Sequence, residues 1–368
     1  VGIPQSRELR DSVLDTYVGC HKCSHNVVES LHERLIGESP QPTEKGKRVY
    51  NLGINLLRDK FKKFNLEPLS YGQVVKTYSG QKRSRYLNAA ETILNGRYSM
   101  RQITKVNAFI KKEKLPIGKP TRVIQSRSPV YNLLLGRYTK ALEPYVFGIK
   151  TPKCIGGVGK MFAAGLDDYD KAKLIKQKWD NLSDPVVISM DYSRYDKCVR
   201  PYQLKGEHSL YLNAFHNKSE LQSLLARQIH NRGVDYSSNV FYKVKGTRCT
   251  GEMNTLIGNS LVNSAMLIGI LKKFKIKGDL LIVGDDSLIF LNRWDLNKTL
   301  RLLKEYIPQM GHSLVATTHY VLQTIKFCSS NPIFTDDNKW RMIKIPSKCY
   351  PVMDSHQNTI TILVDWES

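Results

Sequence analysis

The most constraining feature of this chain is the run DLLIVGDDSLIFL from Asp279 to Leu291, in which two apolar, β-prone segments flank a Gly-Asp-Asp-Ser turn. Apolar runs of this length bounded by turn residues form buried strands, and a tight Gly-Asp turn between them makes a hairpin. That hairpin carries Asp285 and Asp286 side by side at its tip. Adjacent carboxylates in a tight turn repel one another, so a compensating charge is expected beside them, most simply a divalent cation. A second β-prone run, Val186 to Met190, stops at Asp191 and opens onto DYSRYDKCVRP. If the two edges lie in one sheet, Asp191, Asp285 and Asp286 converge on one site. Magnesium takes hard oxygen ligands, keeps several waters and shares its coordination with substrate phosphates, so two or three protein carboxylates suffice. Two such ions activate the attacking oxygen and stabilise the leaving oxygen of an in-line phosphoryl transfer. A Gly-Asp-Asp turn taken alone is more often only a turn, since both residue types favour turns for backbone reasons. The order and context of the other segments decide between the two readings.

Charge is the first part of that context. Lys and Arg number 56 against 33 Asp and Glu, a formal charge of +23 over 368 residues. Such a surplus favours a polyanionic partner, nucleic acid before an anionic membrane. The 41% hydrophobic and 24% charged fractions belong to a folded chain rather than a disordered one, long enough for two or three subdomains around a shared core. No stretch approaches the roughly 18 apolar residues of a helical membrane span, and the first residues lack the layout of a secretory signal. Membrane insertion and secretion by this chain are therefore not expected. Seven scattered cysteines, an odd count, suit a reducing compartment better than a disulfide framework. The chain starts at Val1 rather than Met, which suggests an excised domain or a cleavage product.

Organisation follows from periodicity and punctuation. Residues 1 to 100 mix helical periodicity with basic clusters such as Lys60, Lys62 and Lys63, then Lys82, Arg83 and Arg85. Asn107 to Arg137 is dense in Lys and Arg and broken by Pro and Gly, which predicts loops and short strands carrying charge along a groove. Leu166 to Asn181 reads as a charged helix, and about Gln203 to Arg232 as a helical insertion. After the loop GTRCTG at Gly246 to Gly251, EMNTLIGNSLVNSAMLIGILKKF predicts one long amphipathic helix packed on the sheet. Thr255 and Asn259 are four apart on it and share a face.

The strings FIKKEKLPIGKPTRVIQSRSPVYNLLLGRY, MDYSRYDKC, TGEMNTLIGN, VGDDSLIF and IKFCSSNPIF occur in that order. Together they resemble the motifs of the RNA-dependent RNA polymerases of positive-strand RNA viruses, and within them the tombusvirus-like (carmovirus-like) group; the resemblance runs from about Tyr71 to Phe334. It implies an α+β right-hand polymerase of fingers, palm and thumb, with a small antiparallel palm sheet packed on helices. Its expected divisions are fingers at 1–185, palm at 186–202, a helical insertion of fingers or palm at 203–245, palm again at 246–345, and a short or truncated thumb at 346–368. It implies Asp191, Asp285 and Asp286 as catalytic ligands of two magnesium or manganese ions. Asp196 would sense the ribose 2′-hydroxyl, with Thr250, Gly251, Thr255 and Asn259 completing the nucleotide site. Lys111, Lys114 and Arg122 would hold the triphosphate, and Lys82, Arg83, Arg85 and Arg127 the RNA. IKFCSSNPIF resembles the hairpin that supports the primer strand. The implied partners are template and product RNA, nucleoside triphosphates, and viral replication proteins that tether the chain to membranes, in replication complexes of the host cytoplasm.

Two rivals share these features, a reverse transcriptase and a non-catalytic basic RNA-binding protein on a polymerase fold. Asp196 and Asn259 favour RNA synthesis over reverse transcription, because the 2′-hydroxyl separates the two substrates and an enzyme preferring deoxynucleotides gains from a bulky residue there. The sequence also departs from the group. Thr250 stands where Ser is common, which keeps a hydroxyl on a stiffer side chain. In MGHSLVATTHY the Lys usual for protonating pyrophosphate is replaced at the aligned position by Val315, leaving His312 and Lys304 as alternative general acids. CHKCSH offers Cys20, Cys23 and His25 for zinc but lacks a second ligand pair, so structural zinc is a minor expectation.

Overall fold

The computed structural model describes residues 17–19, 23–116 and 119–345, the stretches 17–19 and 114–116 as backbone only. The strands in chain order are β1 (Tyr17–Gly19), β2 (Val106–Ile110), β3 (Lys114–Pro116), β4 (Val123–Ser126), β5 (Pro185–Tyr192), β6 (His230–Asp235), β7 (Val240–Lys245), β8 (Gly278–Val283), β9 (Asp286–Asn292), β10 (Leu314–His319), β11 (Ser330–Thr335) and β12 (Lys339–Lys344). The longer helices that organise them are α1 (Ser24–Leu31), α2 (Glu44–Phe61), α3 (Gly80–Leu94), α4 (Pro129–Phe147), α5 (Asp168–Asp180), α6 (Pro201–Ala214), α7 (Thr255–Lys273) and α8 (Leu296–Gln309). Among the described residues the architecture is mixed α+β, with two four-stranded sheets and two smaller pairs.

The central sheet has the order β10-β5-β9-β8 and is antiparallel throughout. Strands β5, β8 and β9 read as largely apolar runs because both their faces are covered, while the edge strand β10 is partly exposed. The two-residue period of a strand sorts the side chains. Val186, Ile188, Leu280, Ile282, Ile289 and Leu291 join the main core with α7, while Val187, Leu281, Leu288 and Phe290 pack with Ala172 and Ile175 of α5. The second sheet has the order β4-β2-β6-β7, with β2 and β6 parallel and the other pairs antiparallel. Its buried face, Val106, Ala108, Ile110, Val123 and Tyr242, lies in one cluster with Val27 and Leu31 of α1.

Three elements differ from the sequence expectation. The charged segment expected to stay in loops and strands up to Arg137 turns helical at Pro129. Ser128 caps α4 by accepting from the Tyr131 N–H, and proline fits the first helical position because it has no N–H to leave unpaired there. The insertion expected to be helical to Arg232 is helical only to Ala226. β6 then starts at His230 and forms a hairpin with β7. Helix α7, at 19 residues, is long and apolar enough to cross a membrane, contrary to the expectation of no such stretch. Its residues Ile257 to Leu271 are buried within the fold, so here it is a core helix against α2 and β8. The stretch 346–368, expected to be a thumb, lies outside the described residues, as do Cys20 and Gly118.

Candidate active site

The site begins at the turn between β8 and β9. Gly284 takes φ +64°, a left-handed conformation that side chains resist, and so lets the chain reverse directly into Asp285 and Asp286. The turn is held from below by α7. Ser260 Oγ accepts from the Gly284 N–H at 2.8 Å, and Asn263 Nδ2 donates to the carbonyls of Gly284 at 3.2 Å and Asp285 at 3.0 Å. The Tyr192 hydroxyl at the end of β5 donates to Asn263 Oδ1 at 3.0 Å. Ser260 and Asn263 are fully buried in a largely apolar helix. A buried polar group is retained where its partners are satisfied, and here the partners are the backbone that aims two carboxylates.

Register brings the third acid to the same end of the sheet. Met190 pairs with Ser287 across β5 and β9, so Asp191 and Asp286 are the next residues outward on neighbouring strands. On the other side Asp191 pairs with Val315 of β10, whose apolar side chain is exposed. Burial and the Asp191 charge together raise the Asp285 carboxyl above the usual range. The tight turn at Cys328 and Ser329, both with positive φ, reaches the site from the β11 side. There the Cys328 thiol bonds to Asp286 and is pushed up to about 12 by burial and by the Asp286 charge.

The expected convergence needs one correction. Among the described residues no three Asp, Glu, His or Cys side chains are gathered closely enough to hold an ion as they stand. Like charges on one sheet edge repel, and the three carboxylates share that edge without forming a closed cluster. The donor set itself, carboxylate oxygens with Asp285 raised by a neighbouring negative charge, fits a hard divalent cation, which would relieve the repulsion.

Asp285 and Asp286 open into a cavity of about 910 Å³. Across it, Asn259 Nδ2 on α7 donates to Asp196 Oδ1 at 2.8 Å, joining two residues 63 positions apart. Burial pushes the Asp196 carboxyl up to about 6, against the Asn259 amide and the Arg248 charge, which pull it down. Arg248 Nε donates to Asn259 Oδ1 at 3.0 Å. Thr250, Gly251 and Thr255 also line the cavity. Their hydroxyls serve the loop itself. Thr250 Oγ1 accepts from the Gln125 N–H at 3.1 Å, and Thr255 Oγ1 donates to the Cys249 carbonyl at 2.9 Å. Gly251 lies against β4, where an added Cβ would stand 2.7 Å from the Gln125 carbonyl oxygen, so only glycine fits.

The cations divide. Arg122 lines the cavity and shares Glu113 with Lys111, which pairs at 2.7 Å but does not line it. The Lys114 side chain lies outside the described residues. Sequence reasoning missed Arg34, Arg194 and Lys197, which join Arg122 on the same wall. Burial lowers Arg34, and the Arg122 and Arg194 charges lower it further, so these cations crowd one another around Glu33 and Glu113. The clue in the sequence was the Arg of SRYDK, placed between the two acids of its motif. Lys82 lines the cavity, its ammonium 4.4 Å from the centre of the Tyr78 ring, while Arg83 and Arg85 are exposed on α3 and do not line it.

Arg127 does not belong with the cations expected to face RNA. It is 2% exposed, pairs with Glu252 at 2.7 Å, donates to the Arg227 carbonyl at 3.1 Å and also bonds the Thr104 carbonyl and Asn231. Burial works against its charge, but Glu252 outweighs that and raises its pKa. It ties β4 to the loops around it. Neither alternative general acid stands in the cavity wall. His312 is fully buried, within hydrogen-bond reach of Gln203 and packed on Tyr192 and Tyr195; burial pushes it down to about 3, which disfavours the imidazolium that a general acid would need near neutral pH. Lys304 is exposed on α8, away from the cavity lining. Cys23 caps α1, its sulfur accepting from the Asn26 N–H at 3.5 Å, and no metal-holding group occurs there among the described residues.

A family model described as viral RNA dependent RNA polymerase matches residues 17–359. The chain is 31% identical to the RNA-directed RNA polymerase of tobacco necrosis virus strain A over 90% of its own length and 47% of that protein. It is 33% identical to the carnation mottle virus RNA-directed RNA polymerase, covering 82% of this chain and 38% of that one. Against the polymerase of tomato bushy stunt virus the identity is 31% over 75% of this chain and 34% of the relative. The chain thus spans less than half the length of each of these relatives.

Proposed function

The chain belongs to the viral RNA-dependent RNA polymerase family, and from that we propose that it carries the catalytic unit for template-directed RNA synthesis in the replication of a positive-strand RNA virus. The reaction is addition of a ribonucleotide from its triphosphate to an RNA 3′ end with release of pyrophosphate. The observation that carries this reading is the Asn259 to Asp196 hydrogen bond of 2.8 Å on the wall of the cavity into which Asp285 and Asp286 open. A carboxylate with one oxygen engaged by an amide keeps the other free to accept from a 2′-hydroxyl, a group a deoxynucleotide lacks.

In this reading Asp191, Asp285 and Asp286 would hold two divalent cations, magnesium or manganese. When bound, they would supply charge neutralisation at the attacking and leaving oxygens of the in-line displacement. Arg122, Arg34 and Arg194 orient the triphosphate, with Lys111 and Lys114 as its further phosphate-holding residues, and Lys197, whose ammonium donates to the Glu33 carbonyl at 3.2 Å, adds positive charge. The α7 contacts to the turn fix where the carboxylates point, which favours chemistry because reacting groups must be held within fractions of an ångström. Asp196 and Asn259 orient the ribose. Lys82, Arg83 and Arg85 supply a positive path for RNA over α3.

The right-hand layout extends the same reading. The palm comprises 186–202 and 246–345, with the central sheet and its acidic end; the fingers comprise 1–185, the insertion 203–245 belongs to fingers or palm, and 346–368 is assigned to a short or truncated thumb. Template and product RNA and nucleoside triphosphates are the partners, with viral replication proteins tethering the chain in membrane-associated complexes of the host cytoplasm.

The test is primer extension on an RNA template with magnesium, comparing ribonucleotides with deoxyribonucleotides and wild type with Asp285→Asn. Ribonucleotide incorporation that falls by at least about a thousandfold in the variant is expected. Preference for deoxynucleotides would make the protein a reverse transcriptase. Equal incorporation in both proteins, with RNA still bound, would leave a non-catalytic RNA-binding protein.

A further inference from the structure

Arg248 is bonded to both members of the Asp196 and Asn259 pair. Its backbone N–H donates to the Asp196 carbonyl at 2.8 Å, and its Nε donates to Asn259 Oδ1 at 3.0 Å. Asn259 Nδ2 closes the triangle onto Asp196 Oδ1. The guanidinium is itself anchored from behind by an ion pair with Glu207 of α6, which in turn accepts from the Tyr211 hydroxyl at 2.7 Å and from Asn254 Nδ2 at 3.0 Å. Arg248 is 1% exposed and Glu207 is 0% exposed. Arg248 nevertheless belongs to the cavity lining, and its Nη1 has no hydrogen-bond partner among the described residues.

The chemistry of this triangle has one consequence for Asn259. An amide can present either its oxygen or its nitrogen to a given neighbour. A guanidinium only donates, so the Asn259 oxygen must face Arg248 and its NH₂ must face Asp196. A flipped amide would set donor against donor at Arg248 and acceptor against acceptor at Asp196. The charged bracket therefore holds the amide N–H on one Asp196 oxygen and leaves the other for a sugar hydroxyl.

We propose that Arg248, anchored by Glu207, is the positioning residue that sets preference for ribonucleotides over deoxyribonucleotides in this site. The inference depends on the proposed function, because it needs a nucleoside triphosphate in the cavity. Arg248 touches neither sugar nor phosphate in this role; it acts through Asn259 and Asp196. A purely architectural arginine would affect every nucleotide alike. A positioning arginine changes the ratio.

The experiment measures kcat/KM for one ribonucleoside triphosphate and its 2′-deoxy analogue on the same RNA primer and template, in wild type, Arg248→Lys and Glu207→Gln. Lysine keeps a charge for Glu207 but has no Nε–H to hold the amide. The ribo-to-deoxy ratio is expected to fall about tenfold or more in Arg248→Lys, the scale of one charge-assisted hydrogen bond. It should fall less, in the same direction, in Glu207→Gln. Equal loss on both substrates by a folded variant, or an unchanged ratio, overturns the inference. If wild type itself shows no ribonucleotide preference, the proposed function fails instead, so the two failures are distinguishable. Should neither variant fold by circular dichroism, the wild type decides. The ¹⁵N-resolved Arg248 Nε–H resonance should shift on adding the ribonucleoside triphosphate and stay in place with the 2′-deoxy analogue; equal shifts overturn the inference.

Discussion

Arg127 separates two accounts of the basic residues, so replacing it with methionine is informative. The side chain is buried, with its ion partner Glu252 also buried and 2.7 Å away. Removing the cation leaves a carboxylate in a dry site beside an orphaned carbonyl at Arg227 and the Asn231 amide. Breaking one side of such a pair costs about 3–5 kcal/mol. With an unfolding entropy of about 2.1 cal/mol/K per residue, 368 residues give roughly 0.77 kcal/mol/K, so the melting temperature should drop by about 4–7 °C. A surface phosphate contact would behave differently, with melting unchanged and the log–log salt slope of RNA affinity reduced by about 1. The assay pairs thermal melts by circular dichroism with RNA binding by fluorescence anisotropy over a range of salt. Lower melting with an unaltered salt slope is expected, and the further change Glu252→Leu should restore much of the loss, because an apolar pair replaces the abandoned charge. Unchanged melting together with a reduced slope would refute the structural role.

Further outcomes follow from the same geometry. Asn263→Ala strands the Gly284 and Asp285 carbonyls and the Tyr192 hydroxyl, so about 2–4 kcal/mol of stability should be lost in urea titrations. Its kcat should fall more than its KM rises, since the turn carrying the carboxylates loosens. Gly251→Ala drives a Cβ to 2.7 Å from the Gln125 carbonyl and 2.9 Å from Ser126 Cα, both backbone atoms. A drop of about tenfold in nucleotide kcat/KM is expected, and a fully active variant would show that β4 yields. Stability should also fall on acidification. His208 and His312 are pushed by burial to about 4 and about 3, so below their unfolded pKa near 6.5 the unfolded chain binds two protons that the fold refuses. Asp196, raised to about 6, binds one proton in the fold near pH 5 that the unfolded chain does not, which offsets half of this. The net of about one proton from these three groups gives a loss of about 1.4 kcal/mol per pH unit around pH 5. His312→Gln should flatten that slope, as read by denaturant titrations at pH 7 and pH 5; an unchanged slope would remove His312 from the explanation.

Much of the site was legible because its chemistry needs particular residue types in short, ordered strings. The apolar runs around Gly284 and before Asp191 announce strands, and period-two sorting then forces their acidic ends to one edge. Asp196 and Asn259 were readable as a pair only through the resemblance, since nothing local links residues 63 apart. Ser260 and Asn263 were hidden in plain view. A polar residue in an apolar helix signals a buried partner, but the sequence does not say that the partner is the turn above it. The cation census failed for a different reason: Lys and Arg look alike whether they face a groove or a carboxylate. Only the fold shows Arg127 sealed against Glu252, and Arg34 and Arg194 in the cavity lining. The start of β6 escaped because His230, Asn231 and Arg232 are all polar and show no apolar alternation, although Asn231 is buried; in β7 the exposed Phe241 blurs the same period.

The central claim is that Asp191, Asp285 and Asp286 share divalent cations when nucleotide is present. Anomalous diffraction from crystals soaked with manganese and a non-hydrolysable ribonucleoside triphosphate tests it directly. The account predicts two peaks between these carboxylates and the triphosphate, each within about 2.0–2.4 Å of a carboxylate oxygen. Ordered triphosphate in the cavity with manganese bound elsewhere, and none against the Asp285 and Asp286 turn, would contradict it.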